Sequence, residues 1–371
     1  MTHPHKHTSE HKAHPHGHGD QKGAEIRLVA WEITRNCNLS CIHCRASATM
    51  GPYTGELETS ACFRLVDQIA ETGSPIVILT GGEPLLRSDI FDIASYGTEK
   101  GLRMVMAPNG TLITEESARK MAESGIRRIS ISLDGASKEK HDRFRGVDGA
   151  FEGAQRGIRI AKAAGIEFQI NTTITKNNLD EMPKIQDLAV ELGAVAHHIF
   201  LLVPTGRGKY IADQAIDAVQ YEEALNWFYD QREKTCLQLK ATCAPHYYRI
   251  LRQRAKEEGK TVTFQTHGLD AVTRGCLGGT GFCFISHTGI VQPCGFLELN
   301  CGDVTKDSFK NIWDKSEIFL KLRDYDNLKG KCGACEYKRV CGGCRARAYE
   351  ATGDYMAEEP LCTWQPVKCR G

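Results

Sequence analysis

The chain lacks any apolar run approaching the roughly 18 residues that a membrane-spanning helix needs. It also lacks a dominant charge. Its 47 Lys and Arg against 46 Asp and Glu leave a net charge of +1, so no global field draws it to nucleic acid or an anionic membrane. The first residues are polar and His-rich rather than basic and then apolar, so no secretory leader is visible and a cytoplasmic protein is expected. In that compartment thiols stay reduced, which argues against disulfides.

Against these absences stands one excess, 16 cysteines in 371 residues. Clustered thiols in a reducing compartment point to metal. Ten of them lie from Cys276 onward, and three more form a tight set at Cys37, Cys41 and Cys44. Two metal-bearing regions are implied.

Residues 1–24 hold seven of the 14 histidines within the first 18 positions. Such a tail buries no core and is expected to be disordered. From Arg27 onward short β-branched runs alternate with amphipathic segments. Strands are expected over 27–34, 75–80, 102–108, 127–134, 166–174 and 195–203. Helices are expected near 58–71, 89–99, 114–123, 150–164 and 179–192. This rhythm predicts right-handed βαβ units and a parallel sheet. Six such units predict an α/β fold, a partial (β/α)6 TIM-like barrel with its chemistry on the loops after strand C-termini. Those loops carry the Cys triplet, Gly81-Gly82-Glu83-Pro84, Asn109, Ser132 with Asp134, Asn171 with Thr173, and Arg207 with Lys209. Ser137 and Thr114 read as helix caps rather than ligands. Helices are also expected over 213–235 and 245–259, with LQLKATC between them. Beyond about residue 260 the chain turns Gly- and Cys-rich, as suits a small domain held by bound metal. The expected division is 1–24, 25–240 and 241–371.

Cys37, Cys41 and Cys44 lie within eight residues on one loop. Three thiolates so placed can hold three corners of a 4Fe–4S cube, leaving the fourth iron open to chelate an amine and a carboxylate. Zinc on three Cys and His43 is the bland alternative, but His43 directly adjoins Cys44, a poor spacing for one tetrahedral centre. Farther on, Cys332-x2-Cys335-x5-Cys341-x2-Cys344 is dense, with Cys276, Cys283 and Cys294 before it and Cys362 after it. Its two CxxC pairs also fit a zinc ribbon.

The triplet resembles the signature of the radical S-adenosylmethionine (SAM) enzymes, C-x3-C-x-aromatic-C, with His43 at the aromatic position. Gly81 to Pro84 resembles that family's GGEP element, and the likeness covers about residues 25–210. It implies SAM as cofactor and a 4Fe–4S cluster on Cys37, Cys41 and Cys44 that together generate a 5′-deoxyadenosyl radical. It further implies that Glu83 accepts from the SAM amine and that His43 lies near the adenine. Ser132, Asp134, Asn171 and Thr173 would hold the ribose, Arg145 the carboxylate, and the backbone at Leu201–Val203 the adenine, with Asn109 in the same pocket. The C-terminal cysteines resemble the SPASM or twitch-type domains that carry one or two auxiliary 4Fe–4S clusters. That pattern groups Cys332, Cys335, Cys341 and Cys362, and separately Cys276, Cys294 and Cys344, with Cys283 as candidate fourth. Here two residues rather than three separate Cys341 from Cys344.

Residues 241–250, 275–304 and 341–362 resemble the tetrapyrrole-modifying branch of that family. They are most similar to the heme b synthases, which oxidatively decarboxylate two propionates of Fe-coproporphyrin III to vinyl groups. The 12,18-didecarboxysiroheme deacetylases are the alternative. SPASM peptide maturases are a second one, although no N-terminal peptide-docking domain is visible. A metal-delivery protein would need no SAM pocket. The resemblance implies an iron porphyrin substrate and an electron-donating partner of flavodoxin or ferredoxin type. A flat, carboxylate-bearing substrate needs apolar walls and a few cations. The candidates are His246, Tyr247, Tyr248, Arg249, Arg207 and Lys209.

Overall fold

The computed structural model describes residues 24–367. The disorder expected for the His-rich tail falls, except for Ala24, outside the described residues. Ten strands build one sheet: β1 (Leu28–Thr34), β2 (Ile76–Gly81), β3 (Arg103–Met106), β4 (Arg128–Ser132), β5 (Glu167–Ile174), β6 (Ala196–Leu201), β7 (Gln238–Thr242), β8 (Phe282–Ile285), β9 (Ile290–Gln292) and β10 (Gly302–Asp303). Their order is β10-β9-β8-β1-β2-β3-β4-β5-β6-β7. All pairs from β8 to β7 are parallel, whereas β9 and β10 run antiparallel. β7 and β8 are not neighbours, so the parallel sheet curls into a partial barrel that stays open on one side.

Strand alternation decides what faces each way. In β5, Phe168, Ile170, Thr172 and Ile174 are buried outward, while Gln169, Asn171 and Thr173 face the interior. Phe168 and Ile170 join Trp31, Val77, Leu79, Met104 and Ile131 in the main core, and Ile174 joins a second one with Ile199 and Leu201. Helices Thr59–Ala70, Ile90–Glu99, Glu115–Glu123, Ala150–Ala163 and Met182–Leu192 supply its other half. Ordinary barrels fill their interior with bulky branched side chains. Here the inner face is polar or small at many positions, and a cavity of about 2300 Å³ results.

The six expected strands are all present with near-expected bounds. Two features differ from expectation. LQLKATC forms β7, and the Cys-rich segment contributes β8 directly beside β1. The expected boundary at 240/241 therefore falls inside a strand of the continuous sheet. Polar Gln238 and Lys240 face the cavity and disguised β7 as a connector. Ser137 is a cap as expected, accepting from the Lys140 amide at the start of helix Lys138–Arg145, which is polar and short. Thr114 caps helix Glu115–Glu123 by accepting from the Ser117 amide, as expected.

Gly157 sits mid-helix, where glycine is unfavourable by up to about 1 kcal/mol relative to alanine. A Cβ there would lie 2.1 Å from the Gly110 carbonyl oxygen. The missing side chain lets the helix rest on the turn that presents Asn109 to the cavity. Gly157→Ala should lower stability by about 1–3 kcal/mol. Gly153→Ala, which meets mainly the Thr111 side chain, should cost less in the same urea denaturation series.

Candidate active site

The loop after β1 crosses the barrel mouth and is held by backbone bonds. Cys37 N donates to Thr49 O (3.1 Å), Ser40 N to Arg145 O (3.1 Å) and Ile42 N to Phe144 O (3.0 Å). Arg207 braces it further, donating from Nε to Cys41 O and from Nη1 to Ala48 O, both at 2.8 Å. Cys37, Cys41 and Cys44 all line the cavity. Cys37 Sγ accepts from Leu39 N and Cys44 Sγ from Ala48 N, each at 3.4 Å, and Arg145 Nη1 lies 3.6 Å from Cys41 Sγ. Burial pushes the Cys37 thiol up to about 12 and raises Cys41 as well. Buried thiols so placed stay protonated alone, and metal charge is what converts them to ligands. The donors are already set for that thiolate state.

Gly81 and Gly82 reach the cavity wall. Gly82 N donates to Thr34 O (2.8 Å) and Glu83 N to Asn36 O (2.7 Å), so the GGEP turn is tied to the Cys loop. A Cβ on Gly82 would lie 2.3 Å from Asn36 O, which admits only glycine. Glu83 and Pro84 are not on the wall. Glu83 is fully buried and accepts from Leu85 N (3.0 Å) and Asn109 N (2.6 Å). Burial raises its carboxyl to about 7 against those two bonds. In this geometry Glu83 joins the GGEP turn to the Asn109 turn. Asn109 itself lines the cavity, with its side chain clamped by Asn38 and Thr111.

Ser132, Asn171 and Thr173 face the cavity, Ser132 beside Asn171 in the β4–β5 register. Asp134 does not. Its carboxylate pairs with Arg145 and accepts from Thr173 N at 2.7 Å. Arg145 is on the wall between Asp134 and Cys41, with its Nε unpartnered. Burial opposes the Arg145 charge, but Asp134 and Cys41 outweigh it. His43 lines the cavity and stacks on Phe144 at 4.2 Å, and burial, helped by Arg145, keeps it neutral. Leu201 is buried in the core instead, and the next carbonyl, Leu202 O, accepts from Arg347.

Of the six substrate candidates, Arg207 and Tyr248 reach the cavity. Lys209 pairs with Glu350 near the surface (3.1 Å), away from the wall. Helix His246–Glu257 packs on helix Ala218–Asp230, and that packing claims the others. The Tyr247 hydroxyl accepts from Arg232 (3.2 Å), and Arg249 pairs with Glu222 (2.8 Å). His246 is fully buried against Tyr221, with neither ring nitrogen partnered.

Cys276, Cys294 and Cys344 line the same cavity, and Cys243 lines it with them. Cys243, Cys294 and Cys344 pack into one cluster with Val203, Leu297 and Phe296, where burial raises all three thiols and Cys344 adds to the rise at Cys243 and Cys294. Cys283 is elsewhere, which corrects its expected membership. Phe282 and Phe284 face the cavity, so alternation turns Cys283 outward into the core beside Cys301. Cys332, Cys335, Cys341 and Cys362 form a separate group of mutually interacting thiols. Among the described residues, no three His, Cys, Asp or Glu side chains converge on a point that could hold a single metal ion.

Sequence reasoning also missed Arg347 and Glu359, a fully buried ion pair (2.8 Å). Arg347 donates to Leu202 O (3.0 Å) and to Cys243 O (2.6 Å). Glu359 accepts from Cys344 N (2.7 Å), and its own amide donates to Cys332 Sγ (3.4 Å). Nothing in their spacing marks them; only the folded chain brings them together.

An open parallel barrel with a three-thiol loop at its mouth, and more thiols on the same cavity, defines a radical SAM enzyme with an auxiliary iron–sulfur domain. Residues 31–189 match the Radical SAM superfamily, and residues 276–344 match SPASM, an iron–sulfur cluster-binding domain. SAM, a 4Fe–4S cluster and auxiliary iron–sulfur clusters are its cofactors. The fold is shared with SuiB of Streptococcus suis, solved with its precursor peptide SuiA, at a TM-score of 0.70 and 16% identity over 94% of this chain and 76% of that one. The AdoMet-dependent heme synthase of Nitratidesulfovibrio vulgaris is 58% identical over 95% of this chain and 98% of its own length. That of Methanosarcina barkeri is 54% identical over 92% and 97%. The chain belongs to this heme-synthesising radical SAM family. Among the described residues no helix is long and apolar enough to cross a membrane.

Removing one member of a buried ion pair leaves the other charge uncompensated. Glu359→Gln should therefore cost about 3–5 kcal/mol near neutral pH, read by chemical denaturation. Burial works to raise the Glu359 pKa, but Arg347 outweighs it and the folded value lies below the ordinary 4.5. The contribution is thus present above 4.5 and is lost as pH falls through the folded value. The gap between wild type and variant should narrow over that acid range.

Proposed function

We propose that the protein converts two propionates of Fe-coproporphyrin III to vinyl groups, giving heme b. The observation that carries this reading is the single cavity of about 2300 Å³, walled at one part by Cys37, Cys41 and Cys44 and at another by Cys243, Cys276, Cys294 and Cys344. Drug-sized ligands occupy roughly 300–1,000 Å³, so SAM and a macrocycle fit together. The names of the two heme synthases, at 58% and 54% identity over nearly their full lengths, support the same product.

When bound, SAM and the iron–sulfur clusters would supply the hydrogen-abstracting radical chemistry and an acceptor for the one electron that each decarboxylation releases. Cys37, Cys41 and Cys44 hold the first cluster and leave one corner to SAM. Ser132, Asn171 and Thr173 would meet the ribose, His43 would lie by the adenine, and the Arg145 guanidinium on the wall would meet the SAM carboxylate. Arg207 positions the Cys loop rather than touching substrate. Cys332, Cys335, Cys341 and Cys362 hold one auxiliary cluster. Cys276, Cys294 and Cys344 hold the other, with Cys243 as the fourth thiol. Cys243 adopts a left-handed backbone (φ +54°), which is unfavourable for a residue with a Cβ. Its carbonyl is fixed there by Arg347 and the Tyr221 hydroxyl. The strain is held where it keeps the thiol beside its three partners.

Anaerobic incubation with SAM, a low-potential reductant and Fe-coproporphyrin III should release carbon dioxide and yield the divinyl product. Acetate release from 12,18-didecarboxysiroheme instead would assign the chain to the deacetylases. Cys41→Ala should abolish turnover while leaving the auxiliary electron paramagnetic resonance signals. Cys283→Ala should keep the full iron content, whereas Cys243→Ala should alter the signal of one auxiliary cluster.

A further inference from the structure

The acidic residues on the cavity wall are already matched. Asp230 pairs with Arg254 (2.6 Å), Glu233 and Glu258 with Lys260 (2.8 and 3.0 Å), and Asp270 with Arg232 (2.6 Å). Arg128, also on the wall, pairs with Glu167 (2.7 Å). Among the described residues the Lys240 ammonium makes no direct hydrogen bond or ion pair; the one carboxylate whose field reaches it, Asp270, is already paired with Arg232. Lys240 stands on β7 beside His198, whose strand neighbours His197 and Ile199 are off the wall, and Leu239 and Ala241 on either side of it contribute to the cores.

Its level in the barrel follows from the strand registers. Ser132 stands beside Asn171, Asn171 beside His198, and His198 beside Lys240. All four side chains line the cavity. Lys240 therefore ends the row that begins with the proposed ribose contacts. His198 is held by Gln169, whose amide lies 2.9 Å from Nδ1. Burial, with Lys240 and Arg128 nearby, keeps His198 neutral, and burial also lowers the Lys240 pKa. An amine so placed regains its full charge when an anion enters. Arg27, Arg103 and Lys234 line the cavity too but are exposed, and Arg274 on the wall lies over the Tyr325 ring.

We propose that Lys240, with His198 beside it, is a carboxylate anchor for the tetrapyrrole, receiving one carboxylate of the macrocycle and thereby fixing which propionates face the radical. This rests on the proposed function. A second source of the same chemistry is the carboxylate of SAM, and the test separates the two.

Fe-coproporphyrin III and its tetramethyl ester are titrated anaerobically into the cluster-loaded protein and followed by porphyrin absorbance. SAM binding is measured alongside by isothermal calorimetry. Wild type should prefer the free acid. Lys240→Met should lose roughly 30-fold or more in affinity for the acid, as truncating one partner of a buried charge pair does. Its affinity for the ester and for SAM should stay within about threefold, and Lys240→Arg should restore most of the preference. Iron content equal to wild type shows that the variants fold. An unchanged preference for acid over ester in Lys240→Met overturns the proposal, as does a loss confined to SAM. Wild type that binds Fe-coproporphyrin III but does not convert it overturns the reaction and leaves the anchor standing; wild type that binds neither porphyrin overturns both.

Discussion

The buried pair of Arg347 and Glu359 is where barrel, loop and cysteine-rich segment meet. Two full charges leave water to form it, which is unfavourable unless every remaining donor and acceptor finds a partner. Here they do. The guanidinium takes the carbonyls of Leu202 and Cys243, and the carboxylate takes the amide of Cys344. The Glu359 amide reaches Cys332 as well. One ion pair thus fixes the end of β6, the strained Cys243 and both C-terminal thiol groups relative to one another. Clusters that exchange electrons need that fixed spacing, and a segment this poor in apolar core has little else to supply it.

Thiol environments follow from the same accounting of donors. Backbone amides point at Cys37, Cys44, Cys332, Cys335 and Cys341. Hydrogen bonds to sulfur and exclusion of water are the levers by which a protein tunes a cluster's potential. The inner face of the barrel does the complementary work. Polar and small residues leave it unfilled, and their positions on successive strands set a row of contacts around the cavity.

Several side chains whose type suggested ligand contact are engaged by the protein itself. Glu83 holds two turns together, Asp134 anchors Arg145, and Arg207 braces the cysteine loop. Glu83 and Asp134 sit one layer behind the cavity surface and Arg207 sits on it, and each fixes a group that faces the cavity. Tyr247 and Arg249 are likewise consumed by helix packing. A loop motif announces that chemistry is near; it does not say which of its atoms are free.

The alternation of strands and helices, the three thiols after the first strand and the GGEP turn were all legible in the chain, because each is a local pattern with a fixed period or spacing. So was the existence of a second thiol region. What required the folded molecule was every relation between distant segments. Alternation within β8 turned Cys283 away from the cavity, and Cys243, left-handed just after β7, lines it. The pairing of Arg347 with Glu359, the merging of β8 into the barrel sheet and the solitary charge of Lys240 have no spacing to betray them. They arise where burial forces groups from far apart in sequence to satisfy, or to leave unsatisfied, one another's charge and hydrogen bonds.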